Sequence, residues 1–412
     1  MRAKRRRSGG RLIVTVVAAQ FAVCLGAFAV VAHFVAHMRN DLGLSASTVG
    51  LVLGVQVGLQ YTLLLPVGAV TDLIGARRTG VIACVVRALG LALLVVADDV
   101  GMLVLAAAVQ AVGGALYNPA AQCLLAGVDS ARRSRGFAAY VAAQHIATIV
   151  GPPAGLALLM LGRFSLLAGT AAVLWAVAGV LFLLLPEGAT ASATRGFRDI
   201  VANVRTVVGN RAFVYFALTA VPTTLLANHI MTAVPLLGFA SGAATVGFCV
   251  LAAVAAAVQP FVAAGRRGER PWVLRVGLLC SAAAFFVLAP LDGTQTGALM
   301  LAAVLNGVAN GLIQPTVFQR TALYAGPGRF GSYYGVLQSA AGIFAFAADL
   351  VIGRLFDLGP TGATAALMAV GASALVAAIG TGAVKGGRGQ GSGALRSSTA
   401  RGVLVEEVSR RP

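Results

Sequence analysis

The sequence predicts an all-α membrane protein: twelve transmembrane helices in two pseudo-symmetric six-helix bundles. Three observations predict it. First, 58% of the 412 residues are hydrophobic and only 11% are charged, with a mean hydropathy of +0.88. Soluble domains carry about a quarter charged residues. Second, the charges gather between charge-poor runs long enough to cross a bilayer, which takes about 20 residues of helix. Third, the halves repeat. Gly-Ala-Leu-Tyr-Asn-Pro119 answers Asn-Gly-Leu-Ile-Gln-Pro315, and His33 answers His229, at one fixed offset. Arg135, Tyr140 and Gln144 answer Arg329, Tyr334 and Gln338 at an offset two residues shorter.

The runs lie at about 12–38, 47–70, 79–97, 102–127, 137–161, 165–185, 212–238, 241–264, 272–290, 297–323, 331–354 and 362–384. Backbone groups in lipid must be satisfied within their own segment, so each run reads as a helix. The first is too long for the apolar core of a signal peptide and has no small-residue cleavage site, so it reads as a retained helix. The runs divide the chain into a basic N-tail (1–11), a first bundle (12–185), a linker (186–211), a second bundle (212–384) and a tail (385–412). In the linker, Phe197, Ile200, Val201, Val204, Val207 and Val208 recur at helical spacing between charges, the pattern of a helix lying on the membrane surface. The Gly- and Ser-rich tail has the composition of a disordered segment.

A net charge of +18 invites a nucleic-acid partner, but the placement of the charge rejects it. Most basic residues fall in the N-tail, alternate loops and the C-tail, with Arg275 and Arg320 just inside the runs on that same side, while Arg39, Arg163 and Arg354 fall on the opposite side and Arg87 deep within a span. That asymmetry is the positive-inside pattern, and it puts both termini in the cytoplasm. The basic tails face the anionic inner leaflet of the bilayer. Cys24, Cys84, Cys123, Cys249 and Cys280 are isolated within spans, with no C-x-x-C, so neither disulfides, nor a metal site, nor a bound cofactor is implied. Lys4 and Lys385 are the only lysines among 31 basic residues, which points to a GC-rich bacterial genome and so to a bacterial plasma membrane.

The stretch from Pro66 to Gly80 is a turn between the second and third spans. Gly75 can take φ > 0 where the chain reverses, and Asp72 can cap backbone N–H groups at a helix end. Arg77 and Arg78 hold the turn on the cytoplasmic side. The spacing from Gly68 through Asp72, Gly75, Arg77 and Arg78 resembles the loop between helices two and three of the major facilitator superfamily. Leu73 departs from that pattern, where the family often has a basic residue. The matching loop of the second half, Gly265 to Arg270, keeps the basic residues and lacks the Asp.

The fifth span carries Gly151-Pro152-x-x-Gly155, which is similar to the antiporter motif of exporters in that superfamily. The two glycines make a smooth face and the prolines bend the helix, so the element can serve either as a pivot or as a kinked packing helix. Pro119 is expected to kink or break the fourth span. Ala107 stands where many family members have an Arg linked to proton coupling, which leaves the coupling residue open. The resemblance covers about residues 12–384 and implies a cavity between the two bundles near mid-membrane.

Polar residues inside spans are the candidates for that cavity, since each is costly in lipid. Arg87 lies about nine residues into its span, roughly 12 Å deep at 1.5 Å per residue. Gln56, Gln60, Tyr61, Gln110, Asn118, Gln144, Asn228, Asn306, Asn310, Gln314 and Gln338 either line the cavity or hydrogen-bond between helices. Asp349 is the acid well inside a span, either a proton carrier or a partner of Arg354. His33, His145 and His229 are the other proton candidates, since imidazole exchanges protons near neutral pH. The expected activity is proton-coupled efflux of small amphipathic compounds or drugs by alternating access, by a monomer and without ATP, since no phosphate-binding Gly-x-x-x-x-Gly-Lys-Ser/Thr loop occurs. Proton symport of a metabolite into the cell and a non-transporting sensor or scaffold are the alternatives. No constellation for enzymatic catalysis is present in the sequence.

Overall fold

The computed structural model describes residues 2–64, 66–67, 74–126, 128, 130–185, 204–263, 267, 269–325 and 330–383. Gly68, Asp72, most of the linker and the C-tail lie outside these residues. The first half contains α1 (Arg2–Ala36, continued by a π-helical turn His37–Asp41), α2 (Ala46–Thr62), α3 (Ala76–Val95), α4 (Val100–Ala126), α5 (Ser130–Leu161) and α6 (Phe164–Leu183). The second half contains α7, in two pieces (Arg211–Ala220 and Pro222–Leu236), then α8 (Ser241–Ala263), α9 (Pro271–Leu288), α10 (Thr296–Ala325), α11 (Phe330–Asp357) and α12 (Pro360–Ala383). Among the described residues there is no strand.

Eleven of the described spans are long and apolar enough to cross a membrane. The remaining one, α2, has 17 residues, about 25 Å of helix. It is prolonged toward Val67, whose N–H donates to the Leu63 carbonyl. The helix of α1 also runs back through the basic segment expected to be a tail. In the linker, residues 204–209 are helical and Val207 is buried, while the rest of the expected surface helix lies outside the described residues.

Prolines act unevenly. α4 stays helical through Pro119, so that residue does not break it. α7 is interrupted at Val221, just before Pro222, which has no N–H to donate.

Two apolar cores form. One is built from α1 to α6, with Phe34, Leu91, Tyr117, Phe164, Trp175 and Phe182 among its members. The other is built almost wholly from α7 to α12, around Phe213, Phe216, Phe248 and Phe285. The pairings of the first half recur in the second: α3 with α4 and α6, α2 with α4, and α1 with α5 correspond to α9 with α10 and α12, α8 with α10, and α7 with α11. The repeat in the sequence is therefore a repeat of packing.

The halves meet along α2 and α11, and again along α5 and α8. On α2, Gly50, Gly54 and Gly58 face α11, where a Cβ would run into the Asp349 carbonyl and the Phe346 ring. Small residues let the two backbones touch. At the side away from the chain termini, the Asp357 carboxylate accepts the N–H groups of Ala46 (2.7 Å) and Ser47 (2.9 Å), so a side chain of one half caps a helix of the other.

Candidate functional site

A cavity of about 340 Å³ lies between the halves. That is within the size range of small-molecule sites. The first half contributes Gln20, Phe34, Gln56, Gln60, Tyr61, Arg87, Tyr117, Asn118, Gln144 and Trp175 to its wall. The second half contributes Thr224, Asn228, His229, Gln314 and Asp349. Aromatic rings and amides line it among aliphatic side chains, with Arg87 from one half and Asp349 from the other.

Arg87 leaves α3 and is buried. Its Nη1 donates to Gln60 Oε1 (3.0 Å) and to the Gln110 carbonyl (2.7 Å), and its guanidinium carbon lies 5.3 Å from the centre of the Trp175 ring. Tyr117 meets the same Trp175 edge-on, at 5.3 Å. Ala107, where the family resemblance implies an Arg, is buried on α4 one turn before Gln110. The cation at this level of α4 comes instead from α3.

Asp349 does not pair with Arg354 among the described contacts. Its Oδ1 lies 3.3 Å from His229 Nδ1, and both side chains are buried. The distance is that of an ion pair, although the angle falls short of a hydrogen bond, which leaves both ring nitrogens of His229 without one. A buried acid and imidazole in contact can hold one proton between them, and burial makes an unshared charge there costly.

The other histidines are placed differently. His33 Nε2 donates to the Pro152 carbonyl at 2.9 Å, tying α1 to α5 inside the first half. His145 Nε2 donates to Gln259 Oε1 at 2.6 Å, tying α5 to α8 across the halves. Neither lines the cavity.

Gly151 and Gly155 face α1. A Cβ on Gly155 would come 2.7 Å from the Ala29 carbonyl and 2.8 Å from His33 Cδ2, and one on Gly151 would come 2.8 Å from Phe28 Cβ. The glycine face is thus a contact within one half. The prolines act across the interface: Pro153 has no N–H for the Ile149 carbonyl, and the Cys249 thiol of α8 donates to that carbonyl at 3.4 Å.

Of the cavity candidates, Gln56, Gln60, Tyr61, Asn118, Gln144, Asn228 and Gln314 do line it. Four do not: Gln110, Asn306, Asn310 and Gln338. Gln110 is buried against α3, beside a much smaller void. Asn310 donates to Asn306 Oδ1 within α10 (2.8 Å), and Gln338 does not reach the wall. Sequence reasoning missed Gln20, although it is the lone amide in its apolar run. It also missed Trp175 and Tyr117, which look like core residues in the sequence. Arg320, which the charge pattern placed on the basic side, is buried in α10 with its guanidinium over the Phe216 ring.

At the basic end, Gly75 takes φ +86° ahead of α3, and Arg77 Nη2 donates to the Leu183 carbonyl at the end of α6 (2.6 Å). Arg78 is exposed. Among the described residues no cluster of three metal-ligating side chains occurs.

Two six-helix bundles with a cavity between them, lined by apolar side chains and a few amides and charges, have the architecture of a membrane transporter. The family model for the Major Facilitator Superfamily matches residues 16–349, and the chain belongs to that family. It is a multi-pass transporter and not an enzyme. It is 29% identical over 358 residues to an uncharacterized MFS-type transporter of Mycobacterium tuberculosis (strain H37Rv), a match covering 82% of this chain and 84% of the relative. It is 29% identical over 217 residues to the multidrug resistance protein MdtH of Cronobacter sakazakii, covering 52% of this chain and 53% of that one. In structure it is similar to a bacterial homologue of the human drug peptide transporters PepT1 and PepT2, with a TM-score of 0.73, 16% identity, and coverage of 92% of this chain and 98% of that one. The nucleoside transporter NupG matches with a TM-score of 0.69 at 14% identity, covering 90% and 98%. These two likenesses concern the fold.

Proposed function

We propose that this transporter exports small amphipathic compounds from a bacterial cytoplasm in exchange for protons, working as a monomer with both termini inside. The observation that carries the reading is the buried contact of Asp349 with His229 on the cavity wall. A carboxylate there is free to take up a proton when its access changes sides, which is the chemical step that exchange needs. The mixed aromatic and amide wall suits compounds with an apolar body and a few polar groups. The partial match to MdtH, named for multidrug resistance, supports the outward direction.

The two halves rock about the cavity in this reading, with the α2–α11 and α5–α8 contacts parting in turn. The turn carrying Gly68, Asp72, Gly75, Arg77 and Arg78 clamps the inner gate, and the bend at Gly151, Pro152 and Gly155 shapes α5 for the movement. The test is efflux of fluorescent amphipathic compounds, one cationic and one carrying a carboxylate, from cells expressing the protein, with and without a proton uncoupler. Outward transport that the uncoupler abolishes is the expected result. Proton-dependent accumulation inside the cell would instead mean symport, and no movement of any compound would mean a sensor or scaffold.

A further inference from the structure

We propose that Arg87 is an anchor for an anionic group, so that the compounds carried are amphipathic molecules bearing a carboxylate or a comparable monoanion. This rests on the transporter reading above and names its substrate class.

Arg87 is 8% exposed, yet among the described residues its charge meets no acid. Among the described residues its guanidinium touches an amide oxygen of Gln60, a backbone carbonyl of Gln110 and the face of Trp175. Nε is buried and has no hydrogen-bond partner. Neutral oxygens offset part of the charge, but a buried cation with no counter-ion is costly within a bilayer. An entering carboxylate supplies the missing charge and can accept two N–H groups side by side. Trp175, already stacked beneath the guanidinium, then offers an apolar wall to the body of the same molecule.

The surrounding backbone is shaped to keep the guanidinium in this place. Gly114 of α4 has no side chain here, and a Cβ at that position would meet both Arg87 Nη1 and Gln60 Oε1. The acid on the cavity wall, Asp349, has its own partner in His229. It also lies at another depth. Gln60 touches Arg87, while Gly50 touches the backbone of Asp349, and about ten residues of α2 between them span roughly 15 Å. The anion and the proton therefore occupy separate ends of one cavity.

The experiment is equilibrium dialysis of the purified full-length protein against 2-naphthylacetate and its neutral analogue 2-naphthylacetamide. The wild type should bind the carboxylate at least tenfold more tightly than the amide. Arg87→Gln should bring that ratio to about one while amide affinity stays within twofold, and Arg87→Lys should retain part of the ratio. Gly114→Ala keeps the charge but crowds it, and should lower the ratio at least threefold. It decides the matter if Arg87→Gln does not fold. A wild-type ratio near one, or a ratio that survives whichever of these two variants folds, overturns the proposal. Efflux of preloaded 2-naphthylacetate from cells expressing the protein, measured in parallel, separates the two claims. If the ratio behaves as expected and no export is seen, the exporter reading fails and the anchor stands.

Discussion

His229 Nδ1 lies 3.3 Å from Asp349 Oδ1, and this contact joins α7 to α11 at the cavity wall. Its counterpart in the first half joins α1 to α5, where His33 Nε2 donates to the Pro152 carbonyl at 2.9 Å. The two histidines are related by the internal repeat, and each reaches the equivalent neighbouring helix. One finds a carbonyl, which cannot take up a proton. The other finds a carboxylate, which can. A duplicated scaffold thus carries a structural hydrogen bond in one half and a titratable pair in the other.

The first prediction follows from that asymmetry. His33→Gln should cost about 1 kcal/mol of stability through its hydrogen bond and leave proton coupling intact. Thermal melting in detergent and proton uptake in proteoliposomes measure the two effects. Lost coupling in a folded His33→Gln protein would make His33 a carrier.

The second concerns Gly155. A side chain there enters the α1–α5 contact, at 2.7 Å from the Ala29 carbonyl. Gly155→Ala should destabilise by about 1–3 kcal/mol, as overpacking does, with Gly155→Leu worse. The readouts are melting temperature and membrane abundance. A Gly155→Leu protein of normal stability that no longer transports would favour the pivot role over the packing role.

The third concerns the contact between the halves at the side away from the termini. Asp357 caps α2 by accepting the N–H groups of Ala46 and Ser47. Loss of a cap costs about 0.5–2 kcal/mol, so Asp357→Ala should shift the balance toward the open far side by roughly 2- to 30-fold. A cysteine introduced at Gln56 on the cavity wall should then react faster with a charged thiol reagent added from outside. An unchanged rate would mean that this contact does not hold the far side shut.

The fourth concerns the turn before α3. Gly75 stands at φ +86°, and a Cβ there would meet nothing within 4 Å, so only backbone strain opposes a side chain. Gly75→Ala should cost about 1–3 kcal/mol, since φ +86° with ψ +144° is a region that side chains avoid. Asp72→Asn should leave the protein inserted and slow transport strongly. Transport at the wild-type rate by Asp72→Asn, at equal abundance, would remove the turn from the gating mechanism.

Much of this architecture is legible in the sequence because lipid imposes one rule on every span. Apolar length marks α3 to α12, and the repeat of His33 with His229 places them in two halves. Cavity residues are harder to read. An amide inside a span costs the same whether it faces a cavity, as Gln60 does, or a neighbouring side chain, as Asn310 does. Aromatics such as Trp175 give no polar signal at all. The pairing of Asp349 is also invisible along the chain: Arg354 lies close in sequence, whereas His229 comes near only when α7 packs on α11. The glycines of α5 read either as a pivot or as part of a kinked packing helix, and their nearness to Ala29 shows only in the fold.

The central claim is that the Asp349–His229 pair carries the proton that drives transport. Its most direct test is substrate-driven proton movement in proteoliposomes holding a pH-sensitive dye, for the wild type, Asp349→Asn and His229→Gln, each at matched protein content. Both substitutions should abolish proton movement while leaving substrate-for-substrate exchange measurable, because binding and rocking do not need the proton. Substrate-driven proton movement that persists in Asp349→Asn would contradict the account.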